Sequence, residues 1–227
     1  MHDPPDTEIE SRQSGPSLIN TSTIGEAWIA VCQRIVELGA DGLYDGLPIR
    51  EIIMVTLTIT DPRGNDPSIE RLAGSNRLAW MRTNFANTQP VEALGDADSY
   101  ATRLRDYEHS GRDQVQWVID RLQADPLTRS ATITTLQPLS DTTYVPCVSL
   151  LDFFLVDERL ELIVYAHSID FGTKGFANLA ELARLQEEVA EALGSGVGTL
   201  TMVVKSAHVY TTEIGYVESV LSQSNPD

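Results

Sequence analysis

The sequence predicts an α+β fold in which helices cover one mixed β-sheet. The chain has 227 residues, of which 42% are hydrophobic, enough to bury the core of one domain. Helical and strand-like patterns alternate irregularly, with several strands grouped in the second half around one long helix. No internal repeat and no low-complexity boundary divides the chain.

The first half of the chain carries mainly helical patterns. Residues 1–23 are polar and rich in Pro, Ser and Asp, so we expect a flexible N-terminal tail. Residues 24–38 place apolar side chains at helical spacing, which predicts an amphipathic helix. Residues 52–59 are largely β-branched and predict a strand. Residues 69–85 favour a helix, a pattern that Gly74 weakens.

The second half combines strands with further helices. Helical patterns cover 113–123 and 178–193, and a short helix is predicted at 216–221. Apolar runs predict strands at 131–136, 148–156, 160–165 and 200–204. Asp157-Glu158 fits a hairpin turn between the second and third of these strands. We therefore predict a single domain over 24–227.

The composition is strongly acidic. There are 33 acidic and 16 basic residues, a formal net charge of −17 that repels nucleic acid and anionic membranes, so we expect neither as a partner. The simplest interpretation of this charge is solubility. Two cysteines make no disulfide framework, and Cys32 lies on the apolar face of the first predicted helix. No apolar stretch approaches the ~20 residues that span a bilayer, and no signal-peptide pattern is visible, so we expect a cytoplasmic protein.

The most informative motif is the cysteine in Tyr144-Val145-Pro146-Cys147-Val148, which ends a polar loop and precedes an apolar run. A thiol at such a boundary can attack a small ring that later side chains orient. Candidates for that orienting role follow downstream at Ser168, Asp170, Asn178, His208 and Tyr210. The alternative is a buried, inert cysteine at the start of a strand.

The order of these motifs resembles the thymidylate synthase family. Pro146-Cys147 resembles its nucleophile motif, and Ser99-Tyr100 the segment whose tyrosine faces the cysteine. Further pieces are Asp113-Gln114 followed by Asp125-Pro126-Leu127-Thr128-Arg129, His167-Ser168-Ile169-Asp170 followed by Asn178, and Ala207-His208-Val209-Tyr210. The resemblance covers about residues 25–215. It implies the family's fold and a homodimer that forms through the sheet.

The resemblance implies a role for each of these side chains. Cys147 is the nucleophile that adds to C6 of a pyrimidine, and Tyr100 orients the ring or relays the C5 proton. Asn178 reads the base edge, because a carboxamide both donates and accepts. The sugar- and phosphate-binding positions fall on His208 and Tyr210 for the sugar hydroxyl, and on Arg50, Arg129, His167, Ser168 and Asp170 in the phosphate- and base-reading segments. Arg129 is expected to reach across the dimer, and a nearby arginine to lower the pKa of the Cys147 thiol.

Ordinary structural interpretations stay open for these residues. Asn178 fits a helix N-cap before Leu179, and Tyr100 fits a half-buried tyrosine. Arg50 fits a surface position. His208 and Tyr210 alternate on a strand-like segment, where they also fit core or edge positions.

The phosphate-binding part of the pattern departs from the family. Ser130 follows Arg129 where the family usually has a second arginine, and His167 replaces an arginine. The loss of two guanidinium groups is expected to weaken phosphate binding near neutral pH, and His167 is expected to make that binding pH-sensitive. Lys174 is a candidate substitute.

The sequence also departs from the family at positions near the proton network at C4 of the base and at positions that affect the type of reaction. Arg77 stands where the family has a glutamate three residues before a tryptophan, and Val148 where it often has histidine. Residues 84–100 contain no tryptophan to shield the reactive methylene from water. The chain ends soon after the last helix, so lid closure is expected to differ.

We therefore predict transfer of one carbon from methylenetetrahydrofolate, a co-substrate, to C5 of a pyrimidine nucleoside 5′-monophosphate through an adduct of Cys147 with C6. Hydroxymethylation of CMP/dCMP or UMP/dUMP is favoured over reductive methylation, and Asn178, which the family associates with uracil, leaves the base open. One alternative is a compact thymidylate synthase that makes dTMP from dUMP. Others are a folate-independent nucleotide-binding member and a Cys-His hydrolase. No metal site is predicted.

Overall fold

The computed structural model describes residues 16–89, 91, 94–95, 97–142 and 144–224. They form one seven-stranded mixed sheet packed with helices, which confirms the predicted α+β class. The strands are β1 (Ser17–Thr21), β2 (Ala40–Tyr44), β3 (Leu47–Ile59), β4 (Thr132–Thr134), β5 (Val148–Val156), β6 (Arg159–Asp170) and β7 (Gly196–Tyr210). The α-helices are α1 (Ile24–Leu38), α2 (Pro67–Ala73), α3 (Ser75–Ala86), α4 (Tyr100–Arg105), α5 (Gln114–Ala124), α6 (Gly175–Leu193) and α7 (Ile214–Ser224).

The strand order brings distant parts of the chain to one end of the sheet. The order is β1-β3-β7-β6-β5-β4, with β2 paired to β3. Strands β6 and β7 are parallel, so their C-terminal ends lie side by side, with Asp170 opposite His208. Strand β5 is antiparallel to β6 and starts at the same end, where Val148 lies opposite Ala166.

Helix α1 has the bounds that the apolar spacing predicts. Thr23 caps its first turn, and Glu26 returns a hydrogen bond to the backbone of Thr23, which completes a capping box. Its buried face packs against β1, β3 and β7. The Trp28 Nε1 donates to the carbonyl of Phe171 at 2.9 Å, which ties α1 to the loop that follows β6. Cys32 is fully buried on the same face, as predicted.

The hairpin turn predicted in the second half is also confirmed, and a glycine ends the long helix. Asp157 and Glu158 form the turn between β5 and β6, both with positive φ (48° and 61°), as a two-residue hairpin turn requires. Helix α6 ends at Gly194, whose φ is 66° and whose N–H donates to the carbonyls of Ala190 and Glu191. Helix α6 packs against β6 and β7, so the core lies between this helix layer and the sheet.

Strand β1 lies inside the segment predicted as a flexible tail, so that prediction is wrong for Ser17–Thr21. It pairs in parallel with the second half of β3, and its Ile19 is buried. A five-residue strand carries little periodicity of its own, and partners distant in sequence stabilise it. Residues 1–15 of the predicted tail lie outside the described residues.

Other differences have similar causes. The helix predicted over 69–85 is two helices, because Gly74 adopts a φ of 78° between α2 and α3. Strand β2 and helix α4 were not predicted. Strand β2 is held by a hairpin with β3 through Asp45-Gly46, which both have positive φ. Helix α4 has only six residues and is too short for a periodic signal.

Among the described residues, no helix covers one face of the sheet. Leu150, Ile163 and Tyr165 point to this face, opposite the buried Leu151 and Val164, and each is 37–38% exposed. Among the described residues, no helix combines the length and the apolar character needed to cross a membrane.

Candidate active site

A cavity of about 400 Å³ opens where β6 and β7 end and β5 begins. Eight of the ten predicted site residues line it: Tyr100, Cys147, His167, Ser168, Asp170, Asn178, His208 and Tyr210. They come from the loop before β5, the ends of two parallel strands, and the first turns of α4 and α6. The sheet topology therefore assembles one site from segments up to about a hundred residues apart.

Cys147 lies one residue before β5, partly buried in the wall of the cavity. Burial raises the pKa of its thiol, and the charge of Lys174 is the largest opposing influence, ahead of the carboxylate of Asp170, which raises the pKa further. The expected lowering of this pKa by a nearby arginine is therefore wrong for the single chain. No arginine of the described residues lines the cavity.

Tyr100 is fixed by hydrogen bonds at both ends. Its backbone N–H donates to Asn84 Oδ1 at 3.0 Å, and its phenol oxygen accepts from the backbone N–H of Val148 at 3.0 Å. The ring stacks on Phe85 with centroids 4.5 Å apart. It is only 4% exposed, so the half-buried interpretation is wrong. Burial and the neighbouring Cys147 raise the pKa of Tyr100 well above its usual range, so the phenol keeps its proton and can donate.

Asn178 lies inside α6, four residues after the capping position held by Lys174, so the N-cap interpretation is wrong. Its Nδ2 donates to the Lys174 carbonyl at 3.2 Å. Its Oδ1 is buried in the cavity wall without a hydrogen-bond partner. A buried amide oxygen of this kind is an acceptor available to a ligand donor.

His208 is the second group with an unsatisfied polar atom in this wall. Its Nδ1 lies 3.3 Å from Ser168 Oγ, while Nε2 is buried without a partner. The ring packs edge-on against Tyr210 at 5.4 Å. Burial lowers the pKa of His208, and the carboxylates of Asp170 and Glu51 oppose that shift only in part.

Asp170 shapes the loop between β6 and α6. Its Oδ1 accepts from the backbone N–H groups of Gly172 at 2.9 Å and Thr173 at 3.3 Å, and its Oδ2 accepts from the Thr173 hydroxyl. These bonds fix the turn that carries Lys174 into the cavity wall.

The two imidazoles of the cavity are not paired with the thiol. The Nδ1 of His167 lies 3.3 Å from Ser149 Oγ, and burial and the charge of Lys205 lower the pKa of His167. The Nδ1 of His208 lies beside Ser168. No described hydrogen bond joins either ring to Cys147, so the Cys-His hydrolase alternative lacks its catalytic pair here.

Two predicted residues lie outside the cavity. Arg50 Nε donates to the carbonyl of Gly39 at 3.1 Å, at the end of α1. Arg129 is exposed in the turn between α5 and β4. Neither guanidinium group lines the cavity of its own chain.

The cavity also contains residues that were not predicted as site residues: Tyr44, Asp45, Trp80, Met81, Asn84, Tyr144 and Val145. Tyr144 and Val145 belong to the cysteine motif and could have been included by proximity. Tyr44 and Asp45 come from the hairpin of β2 and β3, and only strand pairing reveals their approach to the site. Lys174, which was considered as a phosphate substitute, also lines the cavity, with Nζ 5.8 Å from the centroid of Trp80.

We expect the folded protein to lose stability as the pH falls below about 6.5, in part because of His208. The pKa of this imidazole is lowered by burial, so the unfolded chain binds its proton at a higher pH than the folded chain does. This contribution is therefore complete above the unfolded pKa, begins to decline as the pH falls below it, and is lost as the pH falls through the lower folded pKa. Urea unfolding at pH 7 and pH 5.5 should show a smaller acid-dependent loss for His208→Gln than for wild type. Equal losses would contradict the assignment.

Comparison with known proteins gives consistent matches. Residues 63–227 match the sequence model of the family described as thymidylate synthase. A protein of Methanosarcina barkeri is 32% identical over 224 residues, 96% of this chain and 100% of that protein. A protein of Methanosarcina mazei is 40% identical over 211 residues, 92% of this chain and 96% of that protein. Both bear the name "Putative thymidylate synthase".

A further match is to a deoxyuridylate hydroxymethyltransferase of Bacillus phage SP01, which is 36% identical over 131 residues, 51% of this chain and 34% of that protein. The family match extends over more than half of the chain, and the two Methanosarcina relatives match it almost end to end. This chain therefore belongs to the thymidylate synthase family, and it is a one-carbon transferase.

Proposed function

We propose that this enzyme transfers a one-carbon unit from methylenetetrahydrofolate to C5 of a pyrimidine nucleoside 5′-monophosphate, and that hydroxymethylation is favoured over reductive methylation. The observation that carries the proposal is the meeting of a thiol with two unsatisfied buried groups, Asn178 Oδ1 and His208 Nε2, in one cavity. A pyrimidine nucleotide carries hydrogen-bond donors on its base and its sugar that can bond to these two atoms.

The proposed chemistry begins at Cys147. Its thiolate adds to C6, and the electrons of the C5–C6 double bond move toward the exocyclic group at C4, which makes C5 nucleophilic. Asn178 accepts from the base edge, and His208 and Tyr210 bind the sugar hydroxyl. After C5 has bonded to the carbon, the C5 proton leaves, and Tyr100 positions the ring or relays that proton. As the C5 proton leaves, the electron pair of the C5–H bond would expel the folate nitrogen and form an exocyclic methylene at C5. Water, or hydride from the folate in reductive methylation, would then add to this methylene while the C6–S bond breaks and Cys147 leaves as the thiolate, which restores the C5–C6 double bond.

An adjoining cavity of about 350 Å³ supports the folate part of the proposal. Its wall includes Arg77, Trp80, Thr173 and Lys174, of which Trp80 and Lys174 also line the cavity that holds Cys147. An indole face and two cations suit a flat heteroaromatic carrier with anionic carboxylates. When bound there, the folate supplies the carbon.

The preference for hydroxymethylation is supported by two observations. Residues 84–100 contain no tryptophan to shield an exocyclic methylene from water, and the one indole in the described cavity wall, Trp80, also lines the adjoining cavity that we assign to the folate. The phage relative, which matches half of this chain, is a deoxyuridylate hydroxymethyltransferase. The names of the two Methanosarcina relatives support reductive methylation instead, so both products must be tested.

The mass of the product distinguishes these reactions. The protein is incubated with methylenetetrahydrofolate and, separately, with dUMP, UMP, dCMP and CMP. Hydroxymethylation adds CH₂O, with the oxygen from water, and releases tetrahydrofolate. Reductive methylation adds CH₂ and releases dihydrofolate, because the folate supplies the hydride. Failure to modify any of the four nucleotides, by folded protein, would reject the proposal and favour a nucleotide-binding role.

We also propose a homodimer that forms through the face of the sheet without helices and brings Arg129 to the partner's cavity. Exposed apolar side chains at Leu150, Ile163 and Tyr165 support this surface. Tyr165→Glu is expected to weaken dimerisation by about 100-fold or more, because an unpaired charge would be buried twice per dimer. Light scattering after size-exclusion chromatography measures this. Leu38→Glu, on the helical side, is the matched control, and a dimeric Tyr165→Glu would reject this interface.

A further inference from the structure

Lys174 has a backbone fixed by hydrogen bonds and a side chain that lines the site. It precedes α6, and its carbonyl accepts both the backbone N–H of Asn178, at 2.9 Å, and the side-chain Nδ2, at 3.2 Å. Its own N–H donates to the carbonyl of Asp170 at 3.1 Å. The backbone is thus held on both sides, while the exposed side chain lines the same cavity as Cys147.

Among the described residues in the wall of this cavity, acidic side chains outnumber basic ones. Among the described residues, Lys174 is the one lysine or arginine in its wall, against the carboxylates of Asp45 and Asp170. Both carboxylates raise the pKa of the Cys147 thiol, as burial does. Lys174 has a larger influence than either of them, in the opposite direction.

Within the single chain, the other titratable groups that line the cavity carry no positive charge near neutral pH that could balance a thiolate. The imidazoles of His167 and His208 have pKa values lowered by burial, so they are largely neutral. The phenols have pKa values raised by burial and therefore keep their protons, at Tyr44, Tyr100, Tyr144 and Tyr210. A stable thiolate in this cavity needs a cation, and one is present in the wall.

We propose that the Lys174 ammonium group stabilises Cys147 as the thiolate, so that Lys174 is an electrostatic positioning residue of the site. The thiol proton passes to solvent, and the remaining charge on Sγ is balanced by the ammonium group. This inference rests on the proposed function, in which Cys147 is the nucleophile. It gives Lys174 a role on the thiol rather than on the phosphate.

The test is the rate at which iodoacetamide alkylates Cys147, measured from pH 6 to pH 10 without nucleotide or folate and located by peptide mass. Below the thiol pKa this rate follows the thiolate fraction. Lys174→Met is expected to move the midpoint of the profile to higher pH and to slow alkylation at pH 7.5 by about tenfold, the effect of one pKa unit. Lys174→Arg keeps the positive charge and should therefore show the wild-type profile.

Control variants show whether a change in the alkylation profile comes from the lost charge at Lys174, from misfolding, or from the overall charge of the protein. Arg63→Met removes an exposed positive charge outside the cavity and should leave the profile unchanged. Cys147→Ala should show no label at this position. If Lys174→Met does not fold, Lys174→Gln serves instead.

The outcomes distinguish this inference from the proposed function. An unchanged profile in Lys174→Met, even with weaker nucleotide binding, would overturn the inference and return Lys174 to a phosphate-binding role. A shifted profile in a protein that modifies none of the four nucleotides would support the thiolate role while rejecting the proposed transfer reaction.

Discussion

Cys147→Ala is expected to abolish formation of the C5-modified nucleotide, with a loss of at least about 10³-fold in turnover. Without the thiol, C5 stays a poor nucleophile, and no other described side chain that lines the cavity is a thiol. The thiol lies in the wall of the cavity beside Tyr100, whose phenol oxygen is held by the N–H of Val148. Product formation is followed by mass spectrometry, and intact-protein mass should show a nucleotide adduct in wild type alone.

The matched control is the chain's other cysteine. Cys32 is fully buried on α1, with Sγ 3.7 Å from the carbonyl of Phe171, and burial raises the pKa of its thiol. Cys32→Ala is expected to lower stability through lost packing while turnover persists. Turnover near the wild-type rate in Cys147→Ala would reject covalent catalysis by this residue.

Arg103→Met is expected to destabilise the fold by about 3–5 kcal/mol, because it leaves a carboxylate buried without its partner. The guanidinium group bonds to both oxygens of Asp141, at 2.7 and 3.0 Å, and to the carbonyl of Thr135 at 2.8 Å. The two charged side chains are only 3% and 5% exposed. Asp141 also accepts from the backbone N–H of Gln137 at 2.7 Å, so the pair anchors the segment that leads to Cys147.

Urea unfolding measures the effect. Arg63→Met is a suitable control, because its ion pair with Asp61 is more than half exposed and is expected to contribute at most about 1 kcal/mol. The double variant Arg103→Met, Asp141→Leu should recover much of the loss, since no unpaired charge remains. A loss below about 1 kcal/mol for Arg103→Met alone would mean that water replaces the guanidinium group.

Elements with strong local signals were predictable. The spacing of apolar residues and the capping sequence at Thr23 and Glu26 are local signals that match the bounds of α1. The apolar run of β5 and the turn at Asp157-Glu158 are equally local. Strand β1, by contrast, is stabilised by hydrogen bonds to β3, more than 30 residues away, and its own residues carry no matching signal.

The candidate site likewise has features that could be predicted from the sequence and features that could not. The chemical identity of its groups could be predicted, because a thiol, a carboxamide, an imidazole and a phenol in this order resemble one family, and the family match bears out that resemblance. Their environment could not be predicted. The approach of Tyr44 and Asp45 depends on the hairpin of β2 and β3, and the raised pKa of Cys147 depends on burial.

The sequence alone therefore determined the fold class and the main helices and strands, and eight of the ten residues that it predicted for the site line one cavity. Only the tertiary structure decided which charges surround the thiol, that Asn178 is inside α6, and that Arg50 and Arg129 lie outside the cavity of their own chain. Periodicity and motifs are local properties of a chain, whereas burial and electrostatic balance are sums over residues that only the packed sheet brings together.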